Sequence, residues 1–351
     1  MRIGFYAPEV EFANAILGEL KAKFVNDIWT RWQPGTPPPT SDIEVLLALG
    51  PVTRDLMEQL PALALIQTLS DGYEGVDVNA ATELGIRVSY APADVTGNSD
   101  SVAEYAVLLM LATARRLSVA LAAIRDHSAK IPGRGHALVG ANVCIVGMGS
   151  IGSKIALRLL TFGVNLNAVD LSPAHAPKYI PMTTPDRLKQ AVANADFVVL
   201  SVRATAENTH MIDAAVMEAM KKGAILINIA RGSLVDEKAL YQAIKRGHLG
   251  GAGLDVEEHE PIPLDDPLLT LPEAFTTPHQ AGLTVLNIQG TAGHIADVLT
   301  KLKTDAPIES QLNHPRTNRS IKREQTYSDV IILLTAKCLG RWPFNTYRRR
   351  L

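Results

Sequence analysis

Gly147-Met148-Gly149-Ser150-Ile151-Gly152 follows directly on the run Asn142-Val143-Cys144-Ile145-Val146, and Asp170 stands eighteen positions beyond the last glycine. Few patterns restrict a fold so tightly. The apolar run predicts a buried strand, and residues 151–162 predict the helix after the turn. Asn165-Leu166-Asn167-Ala168-Val169 predicts the next strand, with Asp170 at its end. The first glycine permits the tight turn, the second lets backbone N–H groups approach a pyrophosphate, and the third lets helix and strand pack closely. An anion then sits at the helix N-terminus, where unpaired N–H groups and the dipole favour it. Asp170 can accept hydrogen bonds from both hydroxyls of an adenosine ribose. Strand, turn, helix, strand and acid arrive in the order a dinucleotide requires.

The motif begins only at residue 147 of 351, so a unit large enough to fold around its own core precedes it. Hydrophobic content of 47% and charged content of 20% describe an ordinary globular chain. No apolar run approaches the roughly 20 residues that span a bilayer, so no membrane association is expected. Met1–Tyr6 reads as a first strand, because Pro8 and Glu9 cut the apolar stretch short of a signal sequence. Two cysteines, Cys144 and Cys338, offer neither a disulfide framework nor metal spacing. No metal is expected, and the expected compartment is the cytoplasm. Nine Lys/Arg against two acids fall between Pro315 and Leu351, which leaves the rest of the chain acidic and unsuited to nucleic acid.

Residues 1–90 alternate strand candidates (Arg2–Tyr6, Val45–Leu49, Ala64–Leu69, Ile86–Ser89) with helical patterns at 10–21, 53–59 and 76–84. Such alternation predicts a parallel sheet covered by helices. Pro34-Gly35-Thr36-Pro37-Pro38-Pro39 predicts a loop. Asn98 to about Ile124 reads as one long helix of a length suited to joining two units. Further strands are expected at 197–202, 225–229, 253–256 and 275–277, and a final helix at 288–302 crossing back to the first unit. The tail from residue 315, with its apolar Val330–Leu334 and closing Arg348-Arg349-Arg350, is expected to be poorly ordered and dispensable.

Three polar residues fall where strands of the second unit end: Arg231 after Ile225–Ala230, Glu260 after Asp255-Val256, and His279 after Thr277-Pro278. In open α/β sheets ligands bind beyond the carboxyl ends of strands, so the three can converge. Their chemistry suits reduction of a 2-oxo acid. The histidine supplies a proton near neutral pH. A carboxylate on its other ring nitrogen fixes the tautomer and raises its pKa, and an arginine grips a carboxylate or carbonyl oxygen. Singly, each has a commoner structural use, and His127, His136, His175 and His210 are assigned to that use.

Ala230-Arg231-Gly232-Ser233-Leu234-Val235-Asp236-Glu237, Gly250–Val256, Glu260-Pro261 and Thr277-Pro278-His279 resemble the D-isomer-specific 2-hydroxyacid dehydrogenases. So do Asp71-Gly72-Tyr73-Glu74-Gly75-Val76-Asp77 and Val102-Ala103-Glu104. The resemblance covers roughly residues 40–300. It implies two doubly wound parallel-sheet domains, a Rossmann NAD-binding domain (99–287) inserted into a flavodoxin-like substrate domain (1–98 and 288–314). It implies NAD, a homodimer formed through the nucleotide domain, and Arg231, Glu260 and His279 as catalytic residues. Cofactor contacts are implied at Gly147, Gly149, Ser150, Ile151, Gly152, Asp170, Val202, Ile229, Ala230, Arg231, Asp255, His279 and Gly282. Backbone N–H groups around Asp71 and Gly72, with Arg231, would hold the substrate carboxylate.

Five positions depart from particular relatives. Arg203 stands where most members have a proline. Leu49 and Thr68 stand where phosphoglycerate-type members carry phosphate-binding arginines, which disfavours that substrate. Glu260 replaces the glutamine of formate dehydrogenases, and Leu171 stands where an NADP-dependent enzyme wants an arginine. The expected activity is therefore NADH-dependent reduction of glyoxylate, hydroxypyruvate or a small aliphatic 2-oxo acid. The alternatives are an NADP-dependent reductase and a non-enzymatic NAD(H)-responsive protein of the corepressor type.

Overall fold

A computed structural model describes residues 1–127, 133–172 and 179–319. His175, Val330–Leu334 and Arg348–Arg350 lie outside the described residues. The strands are β1 (Arg2–Tyr6), β2 (Ile28–Trp32), β3 (Val45–Ala48), β4 (Leu65–Thr68), β5 (Arg87–Ser89), β6 (Asn142–Val146), β7 (Asn165–Val169), β8 (Met182–Thr183), β9 (Phe197–Leu200), β10 (Ile225–Asn228), β11 (Gly251–Leu254) and β12 (Ala274–Thr276). The helices are α1 (Glu11–Lys23), α2 (Arg54–Glu58), α3 (Val78–Glu83), α4 (Ala93–Thr96), α5 (Asn98–Ala114), α6 (Leu117–Arg125), α7 (Ser150–Leu160), α8 (Leu188–Val192), α9 (Ala214–Ala219), α10 (Glu237–Lys245) and α11 (Val285–Thr304).

Two sheets form, ordered β2-β1-β3-β4-β5 and β12-β11-β10-β9-β6-β7-β8, and every pairing between these strands is parallel. Parallel sheets need cover on both faces, and the sequence supplies it: β3, β4, β9, β10 and β11 are buried at every residue. The first order is flavodoxin-like. Counted from β6, the second is the 3-2-1-4-5-6 order of a Rossmann sheet with a seventh strand at its edge. Its order reverses between β6 and β9, which opens a crevice beside the glycine turn.

Helix α11, from the far end of the chain, packs on the first sheet. Its Ile295, Val298 and Leu299 share a core with Ile3, Phe5 and Leu47 and with Ile16 of α1. Each such side chain contributes roughly 1.5–3 kcal/mol relative to exposure. Helix α5 instead packs against α7, with Ala103, Ala106 and Met110 in the core of the second sheet. Two crossings join the units. Thr96, at the end of α4, lies against Gly290, where an added Cβ would stand 2.1 Å from the Thr96 carbonyl oxygen. Gly97 turns in the left-handed region at φ 79° to start α5.

One expectation is corrected, and one strand is added to those expected. The single helix from Asn98 to Ile124 is two helices, bent by 63° at Arg115-Arg116, where Arg116 adopts φ 53°. Periodicity could not reveal this break, because apolar spacing continues across it. β2 was not anticipated. It is an edge strand, only partly buried, with Thr30 and Arg31 interrupting its aromatic residues. At the tail, Arg319 lies against the first unit, its guanidinium donating to the carbonyls of Leu60, Pro61 and Leu63 and its N–H to Gly85. Among the described residues no single helix is long and apolar enough to cross a membrane.

Asn313 closes the edge of the first sheet. It is 6% exposed; its Oδ1 accepts from the Val88 N–H at 2.8 Å and its Nδ2 donates to the Ile86 carbonyl at 3.0 Å. Asn313→Ala strands both backbone groups, so unfolding free energy should fall by about 1–3 kcal/mol, read as a lower urea midpoint. An unchanged midpoint would refute that role.

Candidate active site

Each glycine of the turn has a separate steric reason. Gly147 has φ 98°, and a Cβ there would stand 2.6 Å from the Val202 nitrogen. At Gly152 it would stand 2.0 Å from the Gly147 carbonyl oxygen, so α7 could not approach β6. At Gly149 it would meet nothing within 4 Å. The first and third glycines thus serve packing, and the second faces open space. Gly149 also begins α7 without a side-chain cap, which leaves the first-turn N–H groups for an anion. Asp170 faces this turn from the end of β7, accepting from the Met148 N–H at 2.7 Å and the Ser172 N–H at 2.9 Å. Leu171, 82% exposed, offers no cation beside it. These residues fit a dinucleotide.

Around the same crevice lie exposed Ser150, half-buried Ile151 and Val202, and buried Ile229 and Ala230. Asp255 is 1% exposed and its carboxylate is fully engaged by its own neighbourhood. Oδ1 accepts from the Thr277 hydroxyl at 2.7 Å and the Gln280 N–H at 2.9 Å, and Oδ2 from the Ala281 N–H at 2.8 Å. Burial raises its pKa while these donors oppose the shift. Gly282 packs against Asn98, an added Cβ standing 2.6 Å from its Oδ1.

The loop so pinned carries His279, which holds φ 48°, a conformation a residue with a Cβ adopts only when its surroundings fix it. His279 Nδ1 lies 2.7 Å from Glu260 Oε2. This bond raises the histidine pKa against the opposing effect of burial. Burial alone would raise Glu260, yet the histidine bond and charge hold it below the ordinary carboxylate value. Arg231 acts on both, lowering each. The three predicted residues therefore share one site.

Two features missed in the sequence assemble it. Asn228, 1% exposed, folds back after β10, its Nδ2 donating to the Arg231 carbonyl at 2.9 Å and its Oδ1 accepting from the Ala230 N–H at 3.1 Å. Gly232 lies flat on the next strand end, where a Cβ would stand 1.9 Å from the Glu257 carbonyl carbon. From the first unit comes the Asp71–Gly75 loop, with Gly72 so close to Arg231 that a Cβ would stand 2.6 Å from Nη2. Arg231 Nη2 is 3.9 Å from Glu74 Oε2. Of the other histidines, His210 pairs with Glu258 and His248 bonds the Met217 carbonyl.

Glu257 is 5% exposed and, among the described residues, its Oε1 has no hydrogen-bond partner. Burial, with the neighbouring charges of Glu260, Glu237 and Asp255, pushes its pKa up to about 7. A carboxyl raised in the folded state binds its proton more tightly there than in the unfolded chain. Its contribution therefore turns unfavourable as pH rises from the ordinary carboxylate range to about 7. Glu257→Gln should stabilise the protein at pH values above that window and leave stability unchanged at acid pH. Thermal denaturation across pH tests this, and equal effects at both ends would contradict it.

Residues 107–281 match the family model for the D-isomer specific 2-hydroxyacid dehydrogenase, NAD binding domain. The glyoxylate reductase of Korarchaeum cryptofilum is 34% identical over 282 residues, covering 76% of this chain and 82% of that protein. A D-3-phosphoglycerate dehydrogenase of Methanocaldococcus jannaschii is 36% identical over 303 residues, covering 86% of this chain but 56% of that protein. The chain thus spans about half the length of that relative. The structure of an NADPH-dependent glyoxylate/hydroxypyruvate reductase from Sinorhizobium meliloti superposes with a TM-score of 0.79 at 26% identity, covering 92% of this chain and 99% of that one. Parallel sheets in these two orders, a glycine turn built for a dinucleotide and a relative matched over most of its length agree: the chain belongs to the D-isomer specific 2-hydroxyacid dehydrogenase family.

Proposed function

We propose that the protein is an NAD-dependent D-2-hydroxyacid dehydrogenase that reduces glyoxylate, hydroxypyruvate or a small aliphatic 2-oxo acid. The observation that carries this is the 2.7 Å bond between His279 Nδ1 and Glu260 Oε2 at the edge of a dinucleotide-shaped crevice. Gly147–Gly152 would hold a nicotinamide dinucleotide, which would supply the hydride. Glu260 accepts from Nδ1–H, so Nε2 is the ring nitrogen that delivers a proton to the substrate oxygen. Arg231 holds the anionic end of the substrate together with the backbone N–H groups of the Asp71-Gly72 loop.

Several features bear on the finer terms. Thr68 is 4% exposed and gives its hydroxyl to the Ser70 carbonyl at 2.7 Å, and half-buried Leu49 is apolar. Neither offers a cation for a phosphate, although several relatives are named for phosphoglycerate. We assign residues 1–98 and 288–314 to a substrate domain and 99–287 to the NAD-binding domain. A homodimer through the latter is supported by α6, which has no buried residue and exposes Leu117, Leu121 and Ile124 along one face.

A panel of small 2-oxo acids with NADH, followed by loss of absorbance, tests activity and substrate class together; no turnover of any would count against the assignment. His279→Ala should lower kcat by about 10²–10⁴ with NADH binding little changed. Reduction needs the protonated ring, and Glu260 raises its pKa, so Glu260→Gln should move the basic limb of the rate profile to lower pH.

Asp170 should set cofactor choice, because its carboxylate accepts ribose hydroxyls and repels a 2′-phosphate. The intact protein should prefer NADH, and Asp170→Ala should erode the preference chiefly through KM. Equal use of NADH and NADPH by the unmodified protein would refute this.

A further inference from the structure

Arg203 leaves the carboxyl end of β9 and reaches across to the first unit. Its Nη2 donates to Asp71 Oδ2 at 3.0 Å and its Nη1 to Glu74 Oε1 at 3.2 Å. Between these two acids its guanidinium carbon stands 4.7 Å from the centre of the Tyr73 ring. Both ends of this bridge are fixed. Behind Arg203, Asn208 Nδ2 donates to the Arg203 carbonyl at 2.8 Å and its Oδ1 accepts from the Thr205 N–H at 2.7 Å. Behind Asp71, Oδ1 accepts the Ala93 N–H at the start of α4 at 3.0 Å, and Tyr73 packs edge-on against Tyr90 with centroids 5.7 Å apart.

We propose that Arg203 is a positioning residue that ties the Asp71–Gly75 loop to the nucleotide-binding sheet and so holds the loop backbone opposite Arg231. The inference rests on the 2-oxo acid assignment for its kinetic arm only. A lone ion pair between groups this exposed is worth little. Here one planar guanidinium bonds two carboxylates and stacks on the ring between them, so three neighbouring loop residues are fixed by one side chain. Gly72 lies among them, pressed against Arg231. With both edges of its guanidinium committed to Asp71 and Glu74, Arg203 is not the ligand of a second substrate carboxylate. Lysine, a point charge without the fork, can keep one of the two bonds.

The test compares Arg203→Met, Arg203→Lys, Asp71→Asn and the Arg203→Met/Asp71→Asn double variant on a monocarboxylic and a dicarboxylic 2-oxo acid. Arg203→Met should raise KM for both acids by about tenfold, with a smaller change in kcat and none in the KM for NADH. Arg203→Lys should recover part of the loss, and the double variant should be no worse than Arg203→Met alone. A loss confined to the dicarboxylate would overturn the proposal by making Arg203 a substrate ligand, and so would strictly additive effects. Hydrogen exchange needs no turnover. Without substrate, backbone amides of residues 71–76 should exchange severalfold faster in Arg203→Met, with those of β6, β9 and β10 unchanged. Unaltered exchange in the loop overturns the proposal whether or not any acid is reduced.

Discussion

One buried carboxylate decides where His279 sits. Asp255 follows β11 beneath the crevice and gathers a hydroxyl and two backbone N–H groups from the 277–281 turn. Its own carbonyl takes the N–H of His279 at 2.8 Å. Without those bonds the left-handed backbone of His279 would relax, and the ring would leave Glu260. A charge at this depth is tolerated because three donors meet it, the usual condition for burying an ionised group. The family resemblance implies a cofactor contact for Asp255, and the structure gives it a framework role as well.

The rest of the site is assembled by backbones in contact. Gly232 brings the strand end bearing Arg231 flat against the segment that leads to Glu260, and Gly72 brings the first unit against Arg231 itself. Acids gather around this junction: Glu257 feels the charges of Glu260, Glu237 and Asp255, and His279 those of Glu260 and Asp255. The balance holds His279 towards its protonated form, which suits a site that delivers a proton. It also loads Glu257 with a proton near neutrality, a cost in stability placed beside the chemistry.

Much of this was legible in the chain because it is written locally. The glycine spacing, the acid after β7 and the apolar runs of β3, β9 and β10 each describe a few consecutive residues, and period and turn chemistry suffice to read them. Arg231, Glu260 and His279 can be grouped from sequence because each lies beyond a strand end, and the structure puts His279 and Glu260 in hydrogen-bond contact. What escaped was decided by residues distant in sequence. Asn228 looks like one more strand residue until its side chain is seen to brace the Arg231 turn. Glu257 looks like part of a solvated acidic run until Gly232 covers it. The break at Arg116 leaves the hydrophobic spacing intact, and β2 is an edge strand whose neighbours cover it only in part.

The chain passes between the two units twice, once from α4 into α5 and once from the 277–284 turn into α11, and the passages touch where Thr96 meets Gly290. Bodies joined at two fixed places lose every relative rotation except that about the line through them. Any opening of the crevice would be a swing about these passages. Residues beside the line barely move during such a swing, while those farthest from it travel most. The Asp71–Gly75 loop is held to the other unit by Arg203, whose bonds to Asp71 and Glu74 would have to break for such a swing to part them.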